Sequence, residues 1–229
     1  MSWVHEAHGY QVLCNRDEKR TRKQAAPPAA FVREGVQYVA PCDGDCGGTW
    51  IASNERGMTL CLLNGATRGE RFVGGRSRGL LIPELIASQS LWEMRERVWS
   101  MNLACYAPFV LVGLEPGSPA TLIEWDGVET MIAPNGEPYM PVTSSSFDSD
   151  AVRQRRRAEF ERLRTEAGQV DIEMLWRFHS SHELHGDAYA TCMHRDDAET
   201  VSFSWVQVSG QSVEFRYWGN APCRWRMAA

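Results

Sequence analysis

Alternation of apolar and polar residues marks several short strands, and turn residues join many of them in pairs. Three hairpins are predicted, with turns at His8-Gly9, 54–57 and 209–211 and strands at 10–14, 49–52, 58–63, 200–208 and 212–218. Further strands are predicted at 109–112, 120–125 and 128–132, where Asp126-Gly127 supplies a turn. The pattern therefore indicates antiparallel pairing along most of the chain.

Two segments place apolar residues at helical spacing. Residues 80–99 are predicted to form two short helices, because Pro83 and the Ser-Gln-Ser sequence at 88–90 interrupt the pattern. Residues 151–167 predict the longest helix, which follows Asp148, a good N-cap residue. Four arginines within 153–157 are interleaved with glutamates and are interpreted as a solvated face.

Residues 19–30 are basic and then rich in alanine and proline. We expect an ordered loop here, because Pro27 and Pro28 cannot donate hydrogen bonds to a strand ladder. With strands at both ends and helices between them, the chain is predicted to fold as one layered α+β domain covering residues 1–229.

Composition and charge narrow the functional classes. The 24 basic and 29 acidic side chains give a net charge of −5, which argues against a nucleic-acid partner. No stretch reaches the roughly 20 apolar residues that cross a bilayer, and the first residues lack signal-peptide features. The seven cysteines form an odd, irregular set typical of reduced thiols, so we expect a cytoplasmic protein without an integral membrane segment.

Five short motifs occur in order along the chain. They are Asn-Arg-Asp-Glu at 15–18, Gly-Gly-Thr-Trp-Ile at 47–51, Leu-Leu-Asn at 62–64, Ser-Arg-Gly at 77–79 and Ser-Ser-Ser-Phe at 144–147. In order and spacing the sequence resembles the NRDE family, which includes the transport-and-Golgi-organisation-two proteins. The resemblance implies an N-terminal-nucleophile hydrolase-like fold, a four-layer αββα sandwich of two antiparallel sheets between helices.

In that class the side chain of the first mature residue attacks a carbonyl carbon, and its own α-amine acts as the base. Members of the family commonly open with Met-Cys-Thr shortly before a stretch like Ser2-Trp3, whereas Met1 stands here where the next residue would be. Three explanations are open: a start further upstream that restores the cysteine, a degenerate site, or Ser2 as a substitute nucleophile after removal of Met1. Ser2 is disfavoured, because three residues correspond to about 10 Å of extended chain.

The resemblance also implies a set of site residues. Arg16 would bind a substrate carboxylate, Asp17 would hold an α-ammonium group, and Asn64 would donate to an oxyanion. The further candidates for ligand binding are Asn15, Glu18, Gly48, Trp50, Arg78 and Ser145. Each has a structural alternative: a salt bridge at a strand end, a hairpin-end asparagine, a turn glycine or a helix-capping serine.

Two functions are consistent with the resemblance. The first is the handling of a hydrophobic small molecule that bears a carboxylate, in intracellular haem trafficking or in lipid and acyl-coenzyme A metabolism. The second is an amidohydrolase or acyltransferase with a restored N-terminal cysteine, so whether the chain is an enzyme stays open, as does its oligomeric state. No cofactor is required, although haem is a candidate transient ligand through Cys14, His179 or His194.

A metal site is not predicted from the sequence. His179, His182 and His185 recur at intervals of three, but no cysteine or carboxylate arrangement completes a zinc signature around them. Cys42 and Cys46 likewise lack a second cysteine pair downstream. We interpret the histidine segment as an exposed polar loop.

Overall fold

The computed structural model describes residues 1–66, 75–145, 147–183, 187–210 and 212–225. The strands are β1 Ser2–Glu6, β2 Gly9–Lys19, β3 Ala26–Arg33, β4 Val36–Cys42, β5 Ile51–Asn54, β6 Thr59–Asn64, β7 Phe109–Leu114, β8 Thr121–Trp125, β9 Thr130–Ala133, β10 Ala198–Ser209 and β11 Ser212–Trp218. The helices are α1 Leu81–Leu85, α2 Leu91–Ser100, α3 Ser149–Ala167 and α4 Ile172–His179. Short 3-10 turns cover Arg78–Leu80, Leu103–Cys105, Glu137–Tyr139 and Pro222–Arg224.

The strands form two antiparallel sheets. The first has four strands in the order β1-β2-β10-β11, so the N-terminal and C-terminal hairpins lie side by side. The second has seven strands, β3 to β9, in sequence order. The three predicted hairpins are confirmed, and the chain completes the second sheet between the two halves of the first.

Alternate side chains of a single strand belong to different hydrophobic cores, which shows that the two sheets pack face to face. On β2, Val12 packs into a core shared by both sheets, whereas its neighbour Leu13 packs against α3 and α4. On β6, Cys61 joins the shared core, whereas Leu60 packs against α1 and α2. Successive side chains of a strand point to opposite faces. The layers are therefore helix, sheet, sheet and helix, which confirms the predicted αββα sandwich.

The helix predictions are confirmed, and their ends have local causes. The carboxylate of Asp148 accepts the N–H of Ala151 at the start of α3, which ends at Gly168 with a φ of 77°. A positive φ of this kind suits glycine, because a side chain would be strained there. Pro83 lies inside α1, and Ser90 caps α2 by accepting the N–H of Glu93.

The expected loop at residues 19–30 is wrong in its second half, where β3 begins at Ala26. The strand lies at the edge of the seven-stranded sheet, so only one side of its backbone pairs, and proline is tolerated at such an edge. Its register shifts between Ala26 and Ala29, around Pro27 and Pro28. No described helix is long and apolar enough to cross a membrane.

Candidate functional site

A cleft of about 380 Å³ opens where several elements end. Its lining comes from the start of the chain, the end of β2, the end of β6, residues 77–79 and 143–145, and the segment before β10. The candidate residues that line it are Asn15, Arg16, Asp17, Glu18, Gly48, Trp50, Asn64, Arg78 and Ser145. Residues from five sequence motifs thus meet at one place.

Ser2 is the candidate residue that does not line the cleft. Its side chain is fully buried, and its hydroxyl lies 2.9 Å from Nε2 of His179. With Met1 in place, this hydroxyl has no exposed surface through which to meet a substrate. Ser2 therefore belongs to the interior network described below, and its role as a terminal nucleophile stays a prediction for a chain that lacks Met1.

The Arg16 guanidinium is already neutralised by neighbouring carboxylates. Its Nη2 lies 2.6 Å from Asp43 and 3.3 Å from Glu18, and the guanidinium stacks on the Trp50 ring at 4.3 Å. Burial alone would raise the pKa of Asp43. The hydrogen bond from the Cys46 N–H and the charges of the neighbouring arginines outweigh burial and hold this pKa below its ordinary value. Arg16 thus has its own ion pairs in this cleft, and its binding of a substrate carboxylate stays a prediction.

Asp17 pairs with side chains of β10 and α3, and its expected role in holding the α-ammonium of an N-terminal nucleophile stays a prediction. Its Oδ1 accepts the Thr200 hydroxyl at 2.6 Å, and its Oδ2 lies 3.4 Å from Nη2 of Arg156. The Met1 α-ammonium donates instead to the carbonyl of Val142 at 2.7 Å, and burial lowers the pKa of this amine. Asp17 therefore anchors α3 to the end of β2 and does not contact the Met1 ammonium.

Arg78 differs from the other arginines of the cleft, because it has no carboxylate partner anywhere in the described residues. Its Nη1 donates to the Pro108 carbonyl at 2.8 Å. Partial burial lowers the pKa of its guanidinium below the ordinary value, with no acidic group to offset that effect. Within the described part of the chain, Arg78 therefore faces the cleft as a partly desolvated cation without a carboxylate partner.

A close backbone contact fixes the position of Arg78. The Thr49 N–H donates to the Gly79 carbonyl at 2.9 Å, and a Cβ at Gly48 would lie only 2.5 Å from the Gly79 carbonyl carbon. Glycine at position 48 is thus required for this approach. The segment that carries Arg78 is consequently held against the start of β5.

A buried polar network connects β1, β2 and α4. Nδ1 of His179 lies 2.9 Å from the Asn15 side-chain oxygen, and the Asn15 amide donates to the carbonyls of His179 and Thr191 at 2.9 and 2.8 Å. Because the Asn15 nitrogen serves two carbonyls, its oxygen must accept from Nδ1–H, which leaves Nε2 to accept the Ser2 hydroxyl. Burial lowers the pKa of His179 well below its ordinary value, which favours this neutral tautomer.

Three other candidates have simpler environments. Asn64 ends β6 with an exposed side chain that makes no hydrogen bond to a described residue. The indole N–H of Trp50 is buried and has no acceptor among the described residues. Ser145 bonds with the backbone of Phe147, while Asp148 caps α3, so the serine cap is wrong for Ser145. Ser146 lies outside the described residues.

Sequence reasoning missed the importance of two cleft residues, Arg156 and His179. Arg156 is 5% exposed, although its cluster was interpreted as a solvated face. The sequence spacing does indicate that Arg156 is buried, because Arg156 lies four residues from both Val152 and Phe160 on the apolar side of α3. His179 ends the unpredicted helix α4, where both of its ring nitrogens are engaged. His185, the third member of the histidine series, lies outside the described residues.

Cys14 and Cys46 both line the cleft, and the pKa of the buried Cys14 thiol is shifted by its surroundings. The Cys14 thiol lies beside Cys61 in the core between the sheets, and the hydrogen bond from Cys61 lowers the pKa of Cys14. Burial raises the pKa of Cys61. Cys14 and His179, two of the candidate haem ligands, both line the cleft, whereas His194 does not.

Comparison with solved structures identifies similar folds. An N-acylethanolamine-hydrolyzing acid amidase orthologue from Caenorhabditis elegans has a TM-score of 0.60 and 14% identity, covering 89% of this chain and 91% of its own. Penicillin V acylase from Agrobacterium tumefaciens has a TM-score of 0.53 and 12% identity, covering 94% and 84%. A variant of conjugated bile acid hydrolase from Clostridium perfringens has a TM-score of 0.54 and 8% identity, covering 92% and 88%. At these identities the similarity shows the fold alone, that of the N-terminal-nucleophile hydrolases.

No curated protein matches the chain. A family model does match it, over residues 3–216, and its description is Transport and Golgi organisation 2. The match spans nearly all of the sequence, including the motifs that converge on the cleft. The chain therefore belongs to the Transport and Golgi organisation 2 family.

Proposed function

We propose that the cleft binds a small molecule that joins an apolar body to a carboxylate or a similar anionic group. The observation that carries the proposal is the Arg78 guanidinium in its lining, which forms no ion pair with any residue that the structure describes. A partly desolvated cation is unfavourable without a partner, and a bound anion would supply that partner. Arg16 and Arg156 are each paired with aspartate in the same cleft, so their charges are already compensated.

The surroundings of Arg78 suit both parts of such a ligand. Asn64 offers an unengaged side-chain amide, whose N–H donates well to an anion. Leu62 and Leu63 add apolar surface next to it, and Trp50 adds an aromatic ring. One desolvated cation with apolar neighbours favours an amphiphilic acid over a small inorganic anion.

The ligand class includes the molecules implied by the family resemblance. Haem carries two propionate groups on an apolar macrocycle, and a fatty acid or its coenzyme A thioester combines an acyl chain with anionic groups. We propose this shared chemistry as the basis of recognition, in a role in intracellular haem or acyl-chain handling. All seven cysteines are free, which supports the proposal of a reducing, cytoplasmic compartment.

Titration of the purified chain with oleate and with haem, followed by tryptophan fluorescence, tests this proposal. Arg78→Gln is expected to weaken binding by about 10-fold to 100-fold, because a hydrogen bond to a charged group contributes roughly 1.5–3 kcal/mol. Arg76→Gln is the matched control, since Arg76 is exposed, pairs with Glu84 and lies outside the cleft lining. Equal affinities in the two variants, or no binding of either ligand, would contradict the proposal.

A second candidate function is amide hydrolysis, and the fold similarity favours it. The similar structures carry the names of an N-acylethanolamine-hydrolyzing amidase, a penicillin V acylase and a conjugated bile acid hydrolase. In this mechanism the first mature residue is the nucleophile. The test is the mass of the N-terminal peptide of the protein isolated from its own organism, combined with an assay for acid release from an N-acylethanolamine. Release that depends on an N-terminal cysteine would establish catalysis, and no release from that native protein would exclude it for this substrate.

A further inference from the structure

Four soft ligand atoms converge away from the cleft, on His182, Cys192, His194 and Cys223. One atom from each residue lies within 4.8 Å of the other three. Nε2 of His194 is 3.6 Å from Sγ of Cys192 and 3.4 Å from Sγ of Cys223. The rings of His182 and His194 have centroids 5.0 Å apart.

These separations are close to those of a tetrahedral zinc site. Zinc binds thiolate sulfur at about 2.3 Å and imidazole nitrogen at about 2.0–2.1 Å, so tetrahedral ligands lie roughly 3.3–3.8 Å apart. Both sulfur-to-nitrogen distances at His194 fall in this range. The widest pair lies at most 4.8 Å apart, about 1 Å beyond this range.

We infer that His182, Cys192, His194 and Cys223 bind one Zn²⁺ ion in a closed, structural site. Two thiolates and two imidazoles form the ligand set that zinc takes in structural sites, and four protein ligands leave no open position for catalysis. The two thiols lose their protons to solvent when the ion binds. A disulfide between the cysteines would give no reason for two imidazoles beside the same pair of sulfurs.

The site would connect three segments that are distant in sequence. His182 follows α4, Cys192 and His194 precede β10, and Cys223 lies in the 3-10 turn after β11. Cys192 is buried, whereas His182 is exposed, so the ion would lie just below the surface. It would thereby fasten the end of the chain to the segment that enters β10.

The zinc site would also hold in place a backbone segment that lines the cleft. The residue before Cys192 is Thr191, whose carbonyl accepts the Asn15 amide in the network with His179. The Cys192 N–H donates to the carbonyl of Ser181, next to His182. Fixing Cys192 on a metal ion therefore fixes the backbone that orients Asn15. The inference is independent of the ligand proposed for the cleft.

Metal analysis of the full chain, purified without chelator, tests the inference. We expect about one zinc per chain, and Co²⁺ added after zinc removal is expected to give the absorption bands of tetrahedral cobalt with thiolate ligands. Cys192→Ser and Cys223→Ser should lose nearly all bound zinc. Cys105→Ser should retain it, since Cys105 is also half-buried but its thiol donates to the Asn102 carbonyl and does not belong to the cluster.

His182→Ala keeps the inference testable if the cysteine variants fail to fold. This exposed residue can be changed with little loss of packing, and its removal should speed zinc release to a chelator at least tenfold with an unchanged circular dichroism spectrum. The inference would be overturned if the chain bound neither zinc nor cobalt while its thiols were reduced. It would also be overturned by a Cys192–Cys223 disulfide in the native protein, or by stoichiometric binding of another metal in place of zinc.

Discussion

The buried imidazole of His179 should make the stability of the fold depend on pH in a defined way. In the folded chain, burial lowers its pKa well below 6.5, so the ring is neutral, whereas in the unfolded chain it titrates near 6.5. As the pH falls below about 6.5, the unfolded state binds a proton that the native state refuses. The contribution of His179 is therefore fully present above that pH and is lost on acidification.

The size of the effect follows from linkage. One proton corresponds to about 1.4 kcal/mol per pH unit, so His179 should cost roughly 2 kcal/mol of the free energy of unfolding between pH 7.5 and pH 5. Urea unfolding of the wild type and His179→Gln at the two pH values isolates this contribution, because other groups titrate in both chains. His8→Gln is the control, since His8 is exposed in the turn between β1 and β2.

Parallel pH profiles for the wild type and His179→Gln would refute this reasoning. If the variant does not fold, nitrogen-15 spectra of the wild-type imidazole provide the same test. We expect His179 to keep a proton on Nδ1 and none on Nε2 as the pH falls through the unfolded pKa, because Asn15 accepts from Nδ1–H and Ser2 donates to Nε2. A ring that becomes doubly protonated near pH 6.5, as in the unfolded chain, would contradict this expectation.

Three further predictions concern residues of the cleft. Arg78→Met is expected to raise the free energy of unfolding by on the order of 1 kcal/mol, because it removes a partly buried charge that has no described carboxylate partner. The same variant should weaken ligand binding. A less stable variant in urea unfolding would contradict this. Asn15→Leu is expected to cost about 2–4 kcal/mol, because it breaks three partly buried hydrogen bonds. Calorimetry that shows an unchanged Tm would argue against the network. Iodoacetamide should modify the exposed Cys46 well before the buried Cys14, as followed by peptide mass spectrometry, and the reverse order would show that the core opens locally.

Most of the sheet could be predicted from sequence, because local alternation and turn residues determine which residues share a face. Along β2, alternating residues face the shared core and the helices, and the hairpin partners follow directly in the chain. β3 was missed because its prolines exclude a central strand but not an edge strand, and sheet order is a property of the whole fold. α4 was missed because it is only eight residues long and is followed by polar residues.

The candidate site was predicted in its location but not in its chemistry. The motifs that carry the family resemblance do converge on one cleft. Which arginine lacks a partner depends on contacts across the fold, such as that between Arg16 and Asp43, and these cannot be derived from spacing. The histidine and cysteine cluster could not be derived from spacing either, because both strands of the C-terminal hairpin lie between Cys192 and Cys223 in the sequence. No linear zinc signature covers such an arrangement.

Photo-crosslinking with a diazirine-bearing fatty acid shows whether an amphiphilic acid binds in the cleft beside Arg78, because the adducts report where the acid binds. We expect adducts on peptides that contain Trp50, Leu62 or Leu63. Unlabelled oleate should displace them, and they should be strongly reduced in Arg78→Gln but not in Arg76→Gln. Adducts confined to other surfaces, or cleft adducts that persist unchanged in Arg78→Gln, would contradict the assignment of this cleft as an anion-anchored binding site.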